Sequence, residues 1–181
     1  MKAIKAGIAA ALLVAGLGLT PASPATAAPY CGITWGSVAD REAGMATAQV
    51  KNVRTGRHAC FDRMVIDLRG DVKGYDVRYV KSVYTEGEGR RVPLAGAADL
   101  QVIVRAPAYN SAGRATYKPK NHKKVVNVSG YRTFRQVAFL GSFEGQSSFG
   151  LGVRARLPFR TMTLDGPGNT TMLVIDVAHR W

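Results

Sequence analysis

Phe61-Asp62-Arg63-Met64-Val65-Ile66-Asp67-Leu68-Arg69, closed by Gly70-Asp71, is the stretch that decides the fold. Met64, Ile66 and Leu68 alternate with Arg63, Asp67 and Arg69, so an extended chain here carries apolar side chains on one face and charges on the other. A helix would repeat its apolar positions every three to four residues, and this stretch repeats them every two. The Gly-Asp pair supplies the turn that ends the run.

The same reading extends outward in both directions. Val77-Arg78-Tyr79-Val80 follows Gly74, and Leu100, Val102 and Val104 alternate with Gln101 and Arg105 until Pro107 stops them. Phe149, Leu151, Val153, Ala155 and Leu157 point one way while Arg154 and Arg156 point the other, which predicts a strand with one wet face. Met172–Val177 forms the last run. Turn residues fall between the runs: Thr55-Gly56, Gly87-Glu88-Gly89, Gly96, Gly113, Gly130, Gly145 and Asp165-Gly166-Pro167-Gly168. Many short strands separated by turns predict an all-β fold, an antiparallel β-sandwich or barrel with little helix. Ser37–Thr47 and Ala95–Leu100 are each expected to form a turn or two of helix. There is no internal repeat.

The 181 residues, of which 46% are hydrophobic, suit one domain rather than several. Met1-Lys2-Ala3-Ile4-Lys5 gives a positive start, Ala6 to Leu19 has no charge, and Ala25-Thr26-Ala27 fits an A-x-A peptidase site. An apolar stretch of about 14 residues is short of the roughly 20 a bilayer needs, so residues 1–27 are expected to be a secretory signal cleaved after Ala27. A non-cleaved anchor is the competing reading, and Ala28-Pro29-Tyr30 before Cys31 does not resemble a lipoprotein box. Residues 28–45 then form an N-terminal arm and 46–181 the domain. No later stretch approaches membrane length, so no transmembrane segment is expected in the mature, secreted chain.

Outside a reducing cytosol, Cys31 and Cys60 are expected to form a disulfide, since two cysteines have one intramolecular pairing. It closes about 30 residues and is worth about 3–4 kcal/mol in the chain-entropy picture. Neither C-x-x-C nor ligand spacing among His58, His122 and His179 is present, so no metal is expected.

An ordered set of motifs carries a family resemblance. Phe61-Asp62-Arg63 leads into Val65-Ile66-Asp67-Leu68. Gly74-Tyr75-x-Val77-x-Tyr79-Val80, Gly141-Ser142-Phe143-Glu144-Gly145, Pro158-Phe159-Arg160 and Val174-Ile175-Asp176-Val177-Ala178-His179 follow in that order. Over roughly residues 46–180 the chain resembles the AMIN-like domain of exported actinobacterial envelope proteins. It departs from that pattern at Gly166-Pro167-Gly168-Asn169-Thr170-Thr171-Met172, where members usually bring a Pro and an Arg before the last strand. The resemblance implies an AMIN-related β-sandwich of the kind that attaches envelope proteins to peptidoglycan or recruits them to envelope sites.

The formal charge of +13 falls to +11 when Lys2 and Lys5 leave with the signal. It is concentrated. Between Asp99 and Glu144 there is no acidic residue, while Arg105, Arg114, Lys118, Lys120, Lys123, Lys124, Arg132 and Arg135 are all basic. Tyr109, Tyr117, Tyr131 and Phe134 are interleaved with them. Asn110–Lys124 is polar and turn-rich, and is expected to be a long loop on a rigid scaffold. Arg114, Tyr117, Lys118, Lys120, Lys123 and Lys124 are the candidate binding residues, the cations attracting a polyanion and the ring offering a stacking face. Nucleic acid would answer to such a patch, but export makes it an unsuitable physiological partner. The expected partner is an anionic cell-wall polymer or another exported envelope protein. A merely solvated basic loop is the competing reading.

Catalytic motifs are weak. Gly145-Gln146-Ser147-Ser148-Phe149-Gly150 has the spacing G-x-S-x-x-G instead of G-x-S-x-G and precedes a strand, so a hairpin turn accounts for its glycines. Asp62, Asp67 and Asp176 lie in strand-like runs near Arg63, Arg69 or His179 and are expected to be paired structurally. Phosphate-loop and dinucleotide fingerprints are absent, and no cofactor is implied. The expected function is a secreted, non-catalytic envelope module. The alternative is a small hydrolase of an anionic wall polymer, which would need two convergent carboxylates about 5–9 Å apart. A third reading, an inhibitor-like protein with a disulfide-held loop, gains little from Cys31–Cys60, far in sequence from the basic stretch.

Overall fold

A computed structural model describes residues 29–45 and 47–181. The expected signal segment, residues 1–27, lies outside the described residues. After a short 3-10 turn at Tyr30–Gly32 the chain runs through eleven strands: β1 (Asp40–Glu42), β2 (Gln49–Arg57), β3 (Phe61–Arg69), β4 (Tyr75–Val80), β5 (Val83–Tyr84), β6 (Arg91–Val92), β7 (Ala98–Val104), β8 (Phe134–Phe143), β9 (Gln146–Val153), β10 (Phe159–Asp165) and β11 (Thr170–Ala178). One sheet has the order β1-β4-β7-β9-β8 and the other β10-β11-β3-β2, with every pairing antiparallel. β5 and β6 form a separate hairpin. The fold is the expected all-β antiparallel sandwich.

The deciding stretch is β3, residue for residue. Its register against β11 sets Met64 opposite Ile175 and Ile66 opposite Leu173, so apolar side chains meet in rows on the inner face. With Leu68 they join Leu100, Val102 and Val104 of β7 and Phe149, Leu151 and Val153 of β9 in one fully buried core. Each such side chain contributes about 1.5–3 kcal/mol over leaving it in water.

Three expectations are corrected. β9 has no wet face and ends at Val153 instead of continuing to Leu157. Its Gly150 and Gly152 are buried under the β5–β6 hairpin and the segment after it, where a Cβ on Gly152 would lie 2.1 Å from the carbonyl oxygen of Ala95 and one on Gly150 would lie 2.9 Å from Leu94. Among the described residues neither Ser37–Thr47 nor Ala95–Leu100 contains a helix; Asp40–Glu42 pairs with β4 and Ala98–Leu100 with β9, ladder bonds overriding weak local propensity. The serine-glycine motif is a hairpin, as expected, its turn made by Glu144 and Gly145 at φ 47° and 80°, the handedness that matches strand twist.

Residues 105–133 cross from β7 to β8 and close the side of the sandwich formed by β2 and β8. Val50 N donates to Pro107 O at 2.9 Å and Thr116 Oγ1 to Val50 O at 2.8 Å. Further on, Val125 N donates to Val137 O and Phe139 N to His122 O, at 2.9 and 2.8 Å. The opposite side carries the arm. Cys31 and Cys60 are disulfide-bonded, Trp35 Nε1 donates to Tyr30 O at 3.0 Å, and Gly36 exchanges two main-chain bonds with Phe159 at 3.0 and 2.7 Å.

Candidate functional site

The carboxylates singled out in the sequence are consumed inside the fold. Asp176 is fully buried on the outer face of its sheet, where β3 and β10 bring an arginine from each side. Arg63 grips it with two bonds, Nε to Oδ1 at 2.6 Å and Nη2 to Oδ2 at 2.9 Å, and Arg160 adds Nε to Oδ2 at 2.9 Å. Both guanidinium groups lie over Phe61, at 5.2 and 5.3 Å from its centre, and Arg160 also lies over Trp35 of the arm at 5.5 Å. The hydrogen bond to Asp176 holds the Arg63 proton more firmly than usual. Asp67 accepts from both Arg54 and Asn52.

Asp62 belongs to the inner face of the same sheet. Its Oδ2 accepts from the main-chain N–H of Thr133 at 2.6 Å and Phe134 at 3.1 Å, while Oδ1 faces His179 Nε2 at 3.2 Å. The other ring nitrogen, Nδ1, is 3.2 Å from Ala59 O. Both nitrogens of His179 are therefore occupied, so the hollow of about 360 Å3 that His179 and Asp62 border with Arg57, His58 and Arg132 meets no free ring nitrogen. Asp62 and Asp176 lie on opposite faces of one sheet and do not converge. Ser147 Oγ donates to Ala106 O at 2.8 Å, and Ser148 Oγ donates to Glu86. Among the described residues no cluster of His, Cys, Asp and Glu has metal-holding geometry.

The basic stretch is arranged differently. None of its eight cations forms an ion pair among the described residues. The long segment is an ordered crossover, built on asparagines. Asn110 Oδ1 accepts from Ala112 N and Arg114 N at 3.0 and 2.9 Å, and Asn121 Oδ1 accepts from Lys123 N at 2.9 Å. Each side chain closes its own turn and so aims the cations beyond it into solvent. Arg135 is the exception. Its guanidinium donates to the carbonyls of Tyr131 and Phe134 at 3.1 and 2.9 Å and staples the end of the crossover.

Two adjoining clefts lie along this side and share His122 and Phe139. The first, about 400 Å3, is lined by Tyr109, Tyr117 and Lys118, and its aromatic floor is tight: Tyr117 meets Phe139 edge-on at 5.2 Å and His122 lies 5.4 Å from Phe139. The second, about 370 Å3, is walled by Arg90 and Arg91 on one side and Lys123 on the other. Of the six candidate binding residues, Tyr117 and Lys118 enter the first cleft and Lys123 the second. Lys124 borders a third hollow of about 530 Å3 with Arg135, and Arg114 and Lys120 stand exposed outside all three. Tyr117 packs half-buried against the core, touching Phe139 and Phe149, and burial pushes its hydroxyl pKa up to about 12. It is a wall of the cleft more than a free stacking platform. Sequence reasoning missed His122, Phe139, Arg90 and Arg91. The adjacent pair Arg90-Arg91 was visible, but only the docking of the β5–β6 hairpin on β9 places it here.

Fold and site together define a two-layer antiparallel sandwich with a basic, aromatic-floored cleft along one side, in which Arg90 is paired with Glu88. The chain belongs to the AMIN-like domain family, whose sequence profile matches residues 48–179. Comparison with curated proteins and with solved structures gives no match. The family relation carries a coarse functional statement, an envelope-associated module of the peptidoglycan-binding type, and such domains are generally non-catalytic. Envelope association and the Cys31–Cys60 bond point together to an extracellular setting. No helix among the described residues is long and apolar enough to cross a membrane.

Proposed function

We propose that this chain is exported, loses residues 1–27, and acts as a non-catalytic envelope module that binds an anionic cell-wall polymer in the cleft at Tyr109, Tyr117, Lys118, His122 and Phe139. Lys123, Arg90 and Arg91 extend that cleft. One observation carries the reading: Lys118, Lys123 and Arg91, which form no ion pair among the described residues, border a floor of aromatic rings, and only Arg90 beside them is paired, with Glu88. Unpaired ammonium and guanidinium groups keep their attraction for an external anion, and sugar rings pack on aromatic faces and edges. Peptidoglycan carboxylates and wall phosphopolymers offer both chemistries in one chain. The alternative of a hydrolase is disfavoured, because the buried carboxylates are saturated and lie on opposite faces, and His179 has no free nitrogen.

The test is co-sedimentation of the purified protein with cell-wall sacculi, with and without their phosphopolymers, across a range of salt. Binding should weaken as salt rises, since surface attraction is screened over about 8 Å at physiological ionic strength. A double charge reversal, Lys118→Glu with Lys123→Glu, should abolish it. Failure of the wild type to sediment at low salt would sink the proposal, as would equal binding by the reversed variant. Mass analysis of the secreted protein checks the export step, with Ala28 expected as its first residue.

A further inference from the structure

Four strands bound the two sheets, and three of those edges are blunted. β8 is covered by residues 122–125. β2 is bulged between Val50 and Asn52, bonds to Pro107, and presents Lys51 and Arg54. β1 is three residues long and reads Asp-Arg-Glu. These are the devices by which proteins keep a sheet edge from recruiting another strand.

β10 lacks them. Phe159 exchanges its outward main-chain bonds with Gly36, so in an antiparallel ladder the alternate residues Thr161, Thr163 and Asp165 also turn their N–H and C=O away from β11. Those three have no main-chain partner on that side among the described residues. No Lys, Pro or bulge interrupts Phe159–Asp165.

We propose that β10 is a self-pairing edge, through which two copies of this chain join antiparallel about a two-fold axis at Thr163 into one continuous sheet. The register follows from what is blocked. Gly36 already occupies Phe159 at one end, and Pro167 has no N–H at the other, where the chain has left the ladder. Only the pairing that sets Thr163 opposite Thr163 uses all three open residues, with Thr161 opposite Asp165 of the second copy. About six main-chain hydrogen bonds result.

Side chains fit the same register. On the outer face Met162 falls opposite Leu164 of the second copy, beside Met172, which is Leu164's neighbour within the sheet. Leu164 is 42% exposed and gains cover. On the other face the Thr161 hydroxyl is shielded from water and has no hydrogen-bond partner. Asp165 of the second copy, about 5.5 Å away between Cα atoms in such a pair, brings an acceptor to it.

The occupant is a second copy because the open window is symmetric and because charge permits it. Gly36 and Tyr79 pack at β10, whereas the basic crossover borders β2 and β8, so two copies meet on the side away from that acid-free crossover. Such a dimer holds two basic clefts at its far ends. On a repeating polymer the second binding step becomes intramolecular, a consequence that rests on the function proposed above.

Sedimentation velocity of the purified protein, from micromolar to about millimolar concentration, should show the average mass rising toward twice that of one chain. Thr163→Pro removes the central N–H of each copy at a free edge, where proline is tolerated, and should weaken association at least about tenfold with little change in circular dichroism or melting temperature. Leu164→Lys, which puts a charge into the apolar row, should act in the same direction and serves if the proline variant folds poorly. A single monomeric species across the whole range would overturn the proposal, and so would a dimer that neither variant weakens. The Lys118→Glu, Lys123→Glu protein should dimerise as the wild type does, which separates failure of this interface from failure of the polymer site.

Discussion

Arg63 and Arg160 sit against a buried carboxylate and two aromatic faces, whereas Lys118, Lys123 and Lys124 are exposed and form no ion pair among the described residues. Both groups contribute equally to a net charge. The first is spent holding one face of a sheet together, with the arm laid over it, and has nothing left for a partner. The second adds almost nothing to the fold and keeps its field for an external anion. Counting basic residues cannot separate the two; asking where the nearest acid lies does.

The sharpest way to break the comparison is to remove the acid from the paired group. Asp176→Ala leaves two half-buried guanidinium groups facing each other, and should cost about 3–5 kcal/mol in urea unfolding, the range for a buried pair that loses one member. A loss below about 1 kcal/mol would show that solvent already carries these arginines. Cys31→Ser with Cys60→Ser tests the arm that brings Trp35 over Arg160. Up to about 3–4 kcal/mol should go, by the loop-closure argument, and Trp35 fluorescence should shift toward that of a solvated indole.

A third outcome concerns neutral groups. Burial pushes the hydroxyls of Tyr75, Tyr79 and Tyr117 up to about 12, reinforced at Tyr75 by Asp40 and Glu42. A pKa raised in the folded state contributes stability below its unfolded value and loses it as pH climbs through the folded value. Resistance to urea should therefore fall between about pH 10 and 12. Ultraviolet titration should show three of the seven tyrosines ionising late. The smallest effect belongs to the unpaired cations. Lys118→Glu with Lys123→Glu should move stability by no more than about 0.5 kcal/mol while abolishing polymer binding, the reverse of the Asp176 result.

How much of this was legible in the sequence depends on which face of a strand meets water. β3 could be read because one face is core and the other carries charges. β8 could not, since Phe134–Phe143 is buried on both faces through most of its length and shows no alternation. β9 misled for a related reason: Gly150 and Gly152 give no sign that a hairpin covers them. β2 and β10 are edge strands with too few apolar residues to announce a period. At the candidate site, the lysines stood out because an acid-free run is a local property. His122 looked like a lone surface histidine, and Arg90 with Arg91 arrives through tertiary contact. Tyr117 read as an exposed stacking ring because its sequence neighbours are polar, whereas it lies half in the core and half in a cleft.

The glycines of β9 bear on the cleft from a distance. The β5–β6 hairpin seats itself where Gly150 and Gly152 leave room for Leu94 and Ala95, and that hairpin carries Arg90 and Arg91, which form one wall of the candidate groove. The spacing between the arginine wall and the Lys123 wall is thus set by two missing methyl groups that touch neither. A ligand's fit can be retuned from beneath the sheet, by residues that no inspection of the groove itself would single out.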